Sequence, residues 1–389
     1  MGLLSVLEGP NSDFIPSKSP DINLNVEINI PSLLSNMLQD GLLKELPRGY
    51  LCPEYTRPTV TYDEYDESVL TDIPVIDLGL LNCGKPNAGN ILLGNLQRAC
   101  EEWGFFYLIN HGVPKSHVQA MQKQARQFFS LPHHQKRRAH IPGQRLGYHS
   151  MQPTTTPSPS LHWSEGFTMK GLAGHVHCSE FATRIWPQGQ EKFGFCDVVE
   201  EYTKSMVGLE MKLRDLIIES LGVDSKHFKQ YCNPSFSSLH LNYYPTCPQP
   251  TNVVGMGAHY DMGFFTLLAH DDVGGLQVQH GGKWVNVKPR SDAFTVNIGD
   301  MLQALTNGRY KSIKHRAVVN ESRERYSIAY FLSVNPRLDL NPAPELVDEQ
   351  HPRLYKPFTF LDIYTSVRNK HLDELSRGAQ VLEFLRASS

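Results

Sequence analysis

The chain lacks the marks of several large protein classes. Its seven cysteines (52, 83, 100, 178, 196, 232 and 247) contain no C-x-x-C pair and no paired spacing. That pattern argues against a thiolate zinc site and a disulfide framework, and reduced thiols are the expectation. No window approaches about 18 uncharged apolar residues, so no membrane-spanning helix is expected. The opening MGLLSVLEGPNSDF has neither the basic start nor the sustained apolar run of a secretory signal. Val6 stands where a myristoylation signal needs Ser or Thr. Neither sign of charge dominates: 37 Lys and Arg against 40 Asp and Glu give a net charge of -3, with no long basic or acidic run. Nucleic acid and membrane surfaces therefore drop out as partners. What is left is a globular composition, 40% hydrophobic and 20% charged, in 389 residues. That suffices for one large domain or two small ones, with a cytoplasmic monomer as the default.

Periodicity divides the chain into four stretches: a flexible segment and helix (1–71), an α/β region (72–230), a β-rich core (231–340) and a helical tail (341–389). Leu33, Leu34, Met37, Leu38 and Leu42 predict a helix between Ile30 and Leu46. IPVIDL (73–78) and FFYLIN (105–110) read as strands. Between them Leu93, Leu96, Cys100 and Trp103 mark a helix that Gly104 ends. Pro114 opens another, with Val118, Met121, Ala125 and Phe128 on one face. Residues 141–195 read as loop, most unusual at GYHSMQPTTTPSPSLHWSEGF (147–167), and long irregular segments are often functional. Tyr202, Met206, Leu209, Leu213, Leu216 and Ile217 predict a helix from Asp197 to Leu221, capped by Gly222. Short strands with turn signals follow, from SSLHLNYYP to YSIAYFLSV. The expected fold is α+β: a double-sheet jelly roll with helices outside it and the tail folded back. Trp103, Phe105 and Phe106 are expected in the core, and His111 in a structural role.

The chemistry concentrates between His259 and Ser327. H-x-D alone is a weak signal; with 17 histidines roughly one match arises by chance. The chain holds three, at His259/Asp261, His270/Asp272 and His371/Asp373. The third has no histidine downstream. The second lies where a strand runs into the DDVGG turn, where i and i+2 need not share a face. The first falls in a strand candidate, where they do. His315, in the β-rich SIKHRAVV, can supply a third ligand. Two neutral imidazoles and a carboxylate on one face of Fe(II) leave three positions open. Arg325 and Ser327 then stand two apart in a strand, so a guanidinium and a hydroxyl face the same way and can grip a carboxylate. R-x-S recurs at Arg386/Ser388; it is the joint order H-x-D, His, R-x-S within one β-rich region that carries weight.

With these motifs the chain resembles the plant soluble dioxygenases that depend on Fe(II) and 2-oxoglutarate. The resemblance rests on ACEEWGFFYLINHGVP (99–114), NYYPTCPQP (242–250), GAHYDMGFFTLL (257–268), VGGLQV (273–278), AFTVNIGDMLQALTNGRYKSIKHRAVVN (293–320) and ERYSIAYF (324–331). It implies a distorted double-stranded β-helix core with flanking helices, and iron on His259, Asp261 and His315. It also implies that Arg325 and Ser327 hold the far carboxylate of 2-oxoglutarate, with Asn242 and Tyr244 lining that co-substrate. Oxidation of an unactivated carbon would be coupled to succinate release, with dioxygen as second co-substrate and ascorbate in support. Candidates for the substrate pocket are Tyr148, His162, Trp163, Phe167, Phe264, Phe265 and Phe331, a set that suggests a bulky, largely apolar small molecule. LHWSEGF (161–167) resembles the tryptophan-containing segment of the gibberellin oxidases, which favours a diterpenoid acid over a flavonoid. His240 stands where the family often has Arg or Lys. Aminocyclopropane-carboxylate oxidase and isopenicillin N synthase share the motifs without using 2-oxoglutarate. A jelly-roll binding protein without turnover is the alternative of another class.

Arg325→Lys keeps the charge and loses the planar fork. It is expected to raise the KM for 2-oxoglutarate roughly 10- to 100-fold, measured by succinate release over a 2-oxoglutarate series. An unchanged requirement removes Arg325 from that role.

Overall fold

A computed structural model describes residues 31–58, 73–142, 146–150, 160–170, 178–189, 191–363 and 380–387. The expectations for 1–30, the linker from 59 to 71, the loop tip 151–159, the tail helix at Tyr364 and Val367, and His371/Asp373 lie outside them. The helices are α1 (Pro31–Gln39), α2 (Ala88–Arg98), α3 (Lys115–Phe129), α4 (His133–Lys136), α5 (Cys178–Ile185), α6 (Glu191–Leu221), α7 (Ser225–Lys229) and α8 (Asp300–Leu305). The strands are β1 (Val75–Asp77), β2 (Phe105–Ile109), β3 (Gly147–Ser150), β4 (Glu165–Lys170), β5 (Ser238–Tyr244), β6 (Met256–His259), β7 (Phe265–His270), β8 (Leu276–His280), β9 (Lys283–Asn286), β10 (Ala293–Ile298), β11 (His315–Ala317) and β12 (Arg325–Leu332). None of the described helices is long and apolar enough to cross a membrane.

An eight-stranded sheet in the order β1-β2-β10-β7-β12-β5-β4-β3 faces a four-stranded sheet in the order β6-β11-β8-β9. The fold is the α+β jelly roll. Strands from before residue 230 extend both edges of the sheet whose middle comes from the β-rich region, so the two regions share one sheet.

Register sorts the large sheet's side chains into two faces, because a strand alternates with period two. One face carries Val296, Leu267, Tyr330, Leu239 and Met169 in one row and Ala269, Ile328, Leu241, Phe167 and Tyr148 in another. It forms the principal core with α2, α3, α5 and α6. On α6 the stripe Phe195, Val199, Tyr202, Met206, Leu209 and Leu213 is buried at the alternating three- and four-residue steps of a helix face. Truncating one such aromatic to Ala costs about 3–5 kcal/mol.

The opposite face looks across to the small sheet, and two apolar plugs close the space between them. Phe105 and Tyr107 of β2 pack on Leu276, Val278 and Val285 at one end. Tyr244, Trp163, Tyr50, Leu34 and Ala317 pack at the other. Phe105 and Phe106 are both core residues, on opposite faces of β2. His111 lies edge-on to Phe294 and accepts from the Val113 N–H (3.1 Å), a structural position.

Several bounds differ from expectation. α1 ends at Gln39, and Gly41 turns the chain at φ +69°. α2 runs into a single π turn (Ala99–Trp103) before Gly104 closes it. α6 starts at Glu191, ahead of the expected Asp197. The stretch expected as loop, 141–195, contains β3, β4 and α5. These elements are short, and pairing with β5 and packing on α6 hold them, which no local period reports.

Gly104 takes φ +61°, and a Cβ there would lie 2.0 Å from the Lys311 carbonyl oxygen. Gly104→Ala must therefore shift backbone as well as strain it, and is expected to destabilise by roughly 1–3 kcal/mol or more in urea unfolding.

Candidate metal centre

His259 is the last residue of β6, and Asp261 lies two residues beyond the strand's end. Strand alternation therefore does not align this pair as expected, because Asp261 is already outside the strand. His270 likewise ends β7 with Asp272 beyond it, so the two H-x-D matches have the same local layout. Sheet pairing separates them. β11 lies beside β6 with His315 directly opposite His259, whereas His270 lies opposite Ser327. One ligand atom from each of His259, Asp261 and His315 falls within 4.8 Å of the others, and all three residues are buried.

The surroundings fix the orientation of each donor. His259 Nδ1 lies 2.8 Å from the Gly257 carbonyl oxygen, and His315 Nδ1 lies 3.1 Å from that of Ile313. A carbonyl only accepts, so Nδ1 carries the proton in each ring and Nε2 keeps its lone pair. Both Nε2 atoms point at one oxygen: Asp261 Oδ1 is 3.6 Å from His259 Nε2 and 3.7 Å from His315 Nε2. Asp261 Oδ2 is already occupied, accepting from Thr266 Oγ1 (2.6 Å) and Asn297 Nδ2 (2.7 Å). Thr266 and Asn297 are register partners on the face toward the small sheet. Burial works against the Asp261 charge, yet His315, His259 and the Thr266 hydroxyl hold its carboxyl well below the usual range. Burial also opposes a charge on His259, but Asp261 outweighs it and raises that imidazole; His315, desolvated and beside His259, is pushed down to about 4. Two lone pairs and a carboxylate oxygen converging in a buried space suit a divalent cation.

Farther along the same face lies a second constellation. Ser327 sits between Asn242 on β5 and His270 on β7, and Arg325 is opposite Tyr244. Asn242 Nδ2 donates to Ser327 Oγ at 3.4 Å, and the Arg325 guanidinium lies 4.8 Å from the Tyr244 ring centre. Arg325 is only 3% exposed, and its Nε and Nη1 have no hydrogen-bond partner. Asp271 is near enough to feel its charge, but its oxygens accept from the backbone N–H groups of Tyr326 (2.6 Å) and Val273 (3.1 Å). Burial and the Arg325 charge push His270 down to about 3, so its ring is neutral. Its Nε2 meets Thr295 Oγ1 at 3.1 Å, and its Nδ1 is without a partner. Gly275, at φ +98°, passes so close that a Cβ would meet Arg325 Cδ at 3.4 Å and the Val318 carbonyl oxygen at 2.7 Å. A buried cation with unused donors beside a hydroxyl and an amide suits one end of a dicarboxylate.

The aromatic set expected around the substrate mostly lies elsewhere. Tyr148, Phe167 and Phe265 are on the apolar face, one residue out of phase with the site, and Phe264 is fully buried in the same core. Tyr148 donates to Glu165 Oε2 (2.8 Å), which also takes Lys136 Nζ at 2.6 Å in a buried pair. Trp163 belongs to an end plug and donates from Nε1 to the Thr246 carbonyl (3.1 Å). His162 Nε2 accepts from the Gly257 N–H (3.2 Å), bracing the start of β6. Phe331 alone of these is on the site face, opposite Thr266 and 4.5 Å from the His240 ring. Thr266 and Asn297 escaped the sequence reading, and His270 entered it only as one of the H-x-D matches. The signal on β10 was Thr295 and Asn297, polar residues two apart in an apolar strand.

Comparison with known proteins places these residues in context. Residues 235–334 match the family model of the 2OG-Fe(II) oxygenase superfamily, and residues 73–189 match that of the non-haem dioxygenase in morphine synthesis N-terminal. Oxoglutarate-dependent flavonoid 7-O-demethylase 1 of Ocimum basilicum is 32% identical over 88% of this chain and 90% of its own. Gibberellin 20 oxidase 1-D of Triticum aestivum is 35% identical over 81% of this chain and 86% of its own. The crystal structure of JOX2 in complex with 2OG, Fe, and JA superposes with a TM-score of 0.73 at 30% identity, covering 91% of this chain and 97% of that one.

Removing both partners of Asp261 Oδ2, as in Thr266→Val with Asn297→Leu, frees the carboxylate to rotate. The affinity for Co(II) or Mn(II), read by calorimetry, is expected to fall roughly 10- to 100-fold. Unchanged affinity means these two contacts do not orient it.

Proposed function

The chain belongs to the 2OG-Fe(II) oxygenase superfamily, and from that premise we propose that His259, Asp261 and His315 hold its iron. It is an enzyme of the 2-oxoglutarate-dependent dioxygenase type, with Fe(II) and 2-oxoglutarate as its cofactor and co-substrate. Bound iron and 2-oxoglutarate supply the oxidising power for attack on an unactivated C–H bond.

The chain's own residues bind, orient and exclude water. Thr266 and Asn297 hold one oxygen of Asp261, so that the other faces the two imidazoles. The Gly257 and Ile313 carbonyls hold the proton of each neutral ring on Nδ1, so that Nε2 is the atom that can offer a lone pair. In this reading Arg325 and Ser327 take the far carboxylate of 2-oxoglutarate, with Asn242 and Tyr244 beside it and neutral His270 on the flank. The apolar plugs at the two ends keep bulk water from the space between the sheets. The observation that carries the reading is the buried Arg325, with two nitrogens unmatched, on the sheet face that also supplies the Asp261 contacts.

We propose a small, bulky and largely apolar plant molecule as the substrate, oxidised by hydroxylation or desaturation, and a gibberellin-type diterpenoid acid as its class. Phe331 beside His240 is the residue of the aromatic set that can meet it. Similarity to the wheat gibberellin 20 oxidase supports this class. Similarity to the basil flavonoid 7-O-demethylase supports a flavonoid as the second reading. The proposal extends to a monomer working in the cytoplasm, with ascorbate sustaining turnover.

Protein incubated with Fe(II), 2-oxoglutarate and panels of diterpenoid acids and flavonoids, followed by mass spectrometry, tests the class. Conversion of a diterpenoid acid coupled to succinate release is expected. Clean conversion of a flavonoid with no diterpenoid touched replaces it by the second reading; oxidation without succinate refutes the co-substrate. Asp261→Ala is expected to abolish iron-dependent oxygen uptake; uptake that persists in that variant removes Asp261 from the metal site, and its absence in wild type points to a binding protein.

A further inference from the structure

Cys178 opens α5 and Cys196 lies early in α6, and their Sγ atoms are 3.0 Å apart. The sequence separation of the two gave no hint of pairing; the packing of α5 against α6 creates it. Neither is in a disulfide, and both are half-buried, whereas Cys52, Cys100, Cys232 and Cys247 are buried. A disulfide is about 2.05 Å long, so closing one here needs about 1 Å of movement. A shared metal does not account for the approach: among the described residues the group able to hold an ion is His259, Asp261 and His315.

We propose that Cys178 and Cys196 are a modification site, oxidised reversibly to a disulfide that staples α5 to α6. A peroxide can serve as the oxidant. The Cys196 thiolate attacks one peroxide oxygen, the O–O bond breaks and hydroxide leaves, giving a sulfenic acid. Cys178, losing its proton, then attacks that sulfur; the S–S bond forms, the S–O bond breaks and a second hydroxide leaves. Two electrons pass from the thiols to the peroxide, and the two thiol protons with the two hydroxides make two waters. Cys178 is the resolving thiol because its hydrogen bond with Cys196, then burial, then the charges of Asp197 and Glu200 keep it protonated. Oxidation therefore quickens as pH rises.

The staple lies over an aromatic cluster that backs the site-bearing sheet. Phe181 of α5 meets Phe167 of β4 edge-on at 5.3 Å, and Phe195, next to Cys196, meets Trp186 at 5.4 Å. β4 in turn pairs with β5, the strand of Asn242 and Tyr244. Cross-linking α5 to α6 thus fixes the support of the outer strands and removes freedom from the unfolded chain.

The test uses the full chain treated with hydrogen peroxide or with dithiothreitol, then blocked with N-ethylmaleimide and digested with trypsin. Expected is a cross-linked pair of peptides, 171–184 with 193–204, about 2 Da lighter than their sum and lost on reduction. Exposed Cys83 serves as the internal control for blocking. The oxidised protein is expected to melt roughly 5 °C higher than the reduced one, a shift that Cys178→Ser and Cys196→Ser each remove. The wild-type peptide map decides the matter even where a variant folds poorly. Absence of the cross-link, or sulfinic and sulfonic products at these cysteines in its place, overturns the proposal.

Discussion

A strand can offer only alternate residues to each side, and the eight-stranded sheet uses that constraint to separate two jobs. Its apolar face meets α2, α3, α5 and α6 and carries the principal core. Its other face carries Thr266, Asn297, Ser327, Arg325, Asn242 and His270. A shift of one residue in register would exchange these sets, burying Arg325 among leucines and exposing Leu267 to the site. The core therefore does more than stabilise. It fixes the phase in which polar side chains enter the space between the sheets.

Asp261 joins the two sheets chemically. It follows β6 of the small sheet, and its carboxylate is held by Thr266 and Asn297 of the large one. Its free oxygen then faces two histidines that pair across β6 and β11. A buried carboxylate with one oxygen bonded and the other directed at two imidazoles is costly to assemble without a cation. The same holds for Arg325, buried with unmatched donors. Both costs become intelligible together if the space between the sheets exists to receive charged groups.

Much of this was legible in the chain. Long periodic helices such as α3 and α6, and strands such as β5 and β12, announce themselves by spacing. So did the order H-x-D, His, R-x-S. Short elements did not: β3, β4 and α5 sit among Ser, Thr and Pro, and partners far away in sequence hold them. The aromatic residues were misread for a related reason. Tyr148 and Phe167 are adjacent in space to the site-bearing strands but on the wrong side of them, and composition cannot tell one side from the other.

Residue types and their order, by themselves, offered three side chains able to bind a metal and an Arg/Ser pair able to grip a carboxylate, because few side chains can do either task. Which histidine–aspartate pair meets a third ligating side chain was decided by tertiary structure. His259/Asp261 and His270/Asp272 both straddle the end of a strand, and nothing local distinguishes them. β11 lies beside β6, so His259 gains His315 as a neighbour; β12 lies beside β7, so His270 gains Ser327 and Arg325. Strand pairing is a contact between distant segments, and the sequence around either histidine carries no record of it.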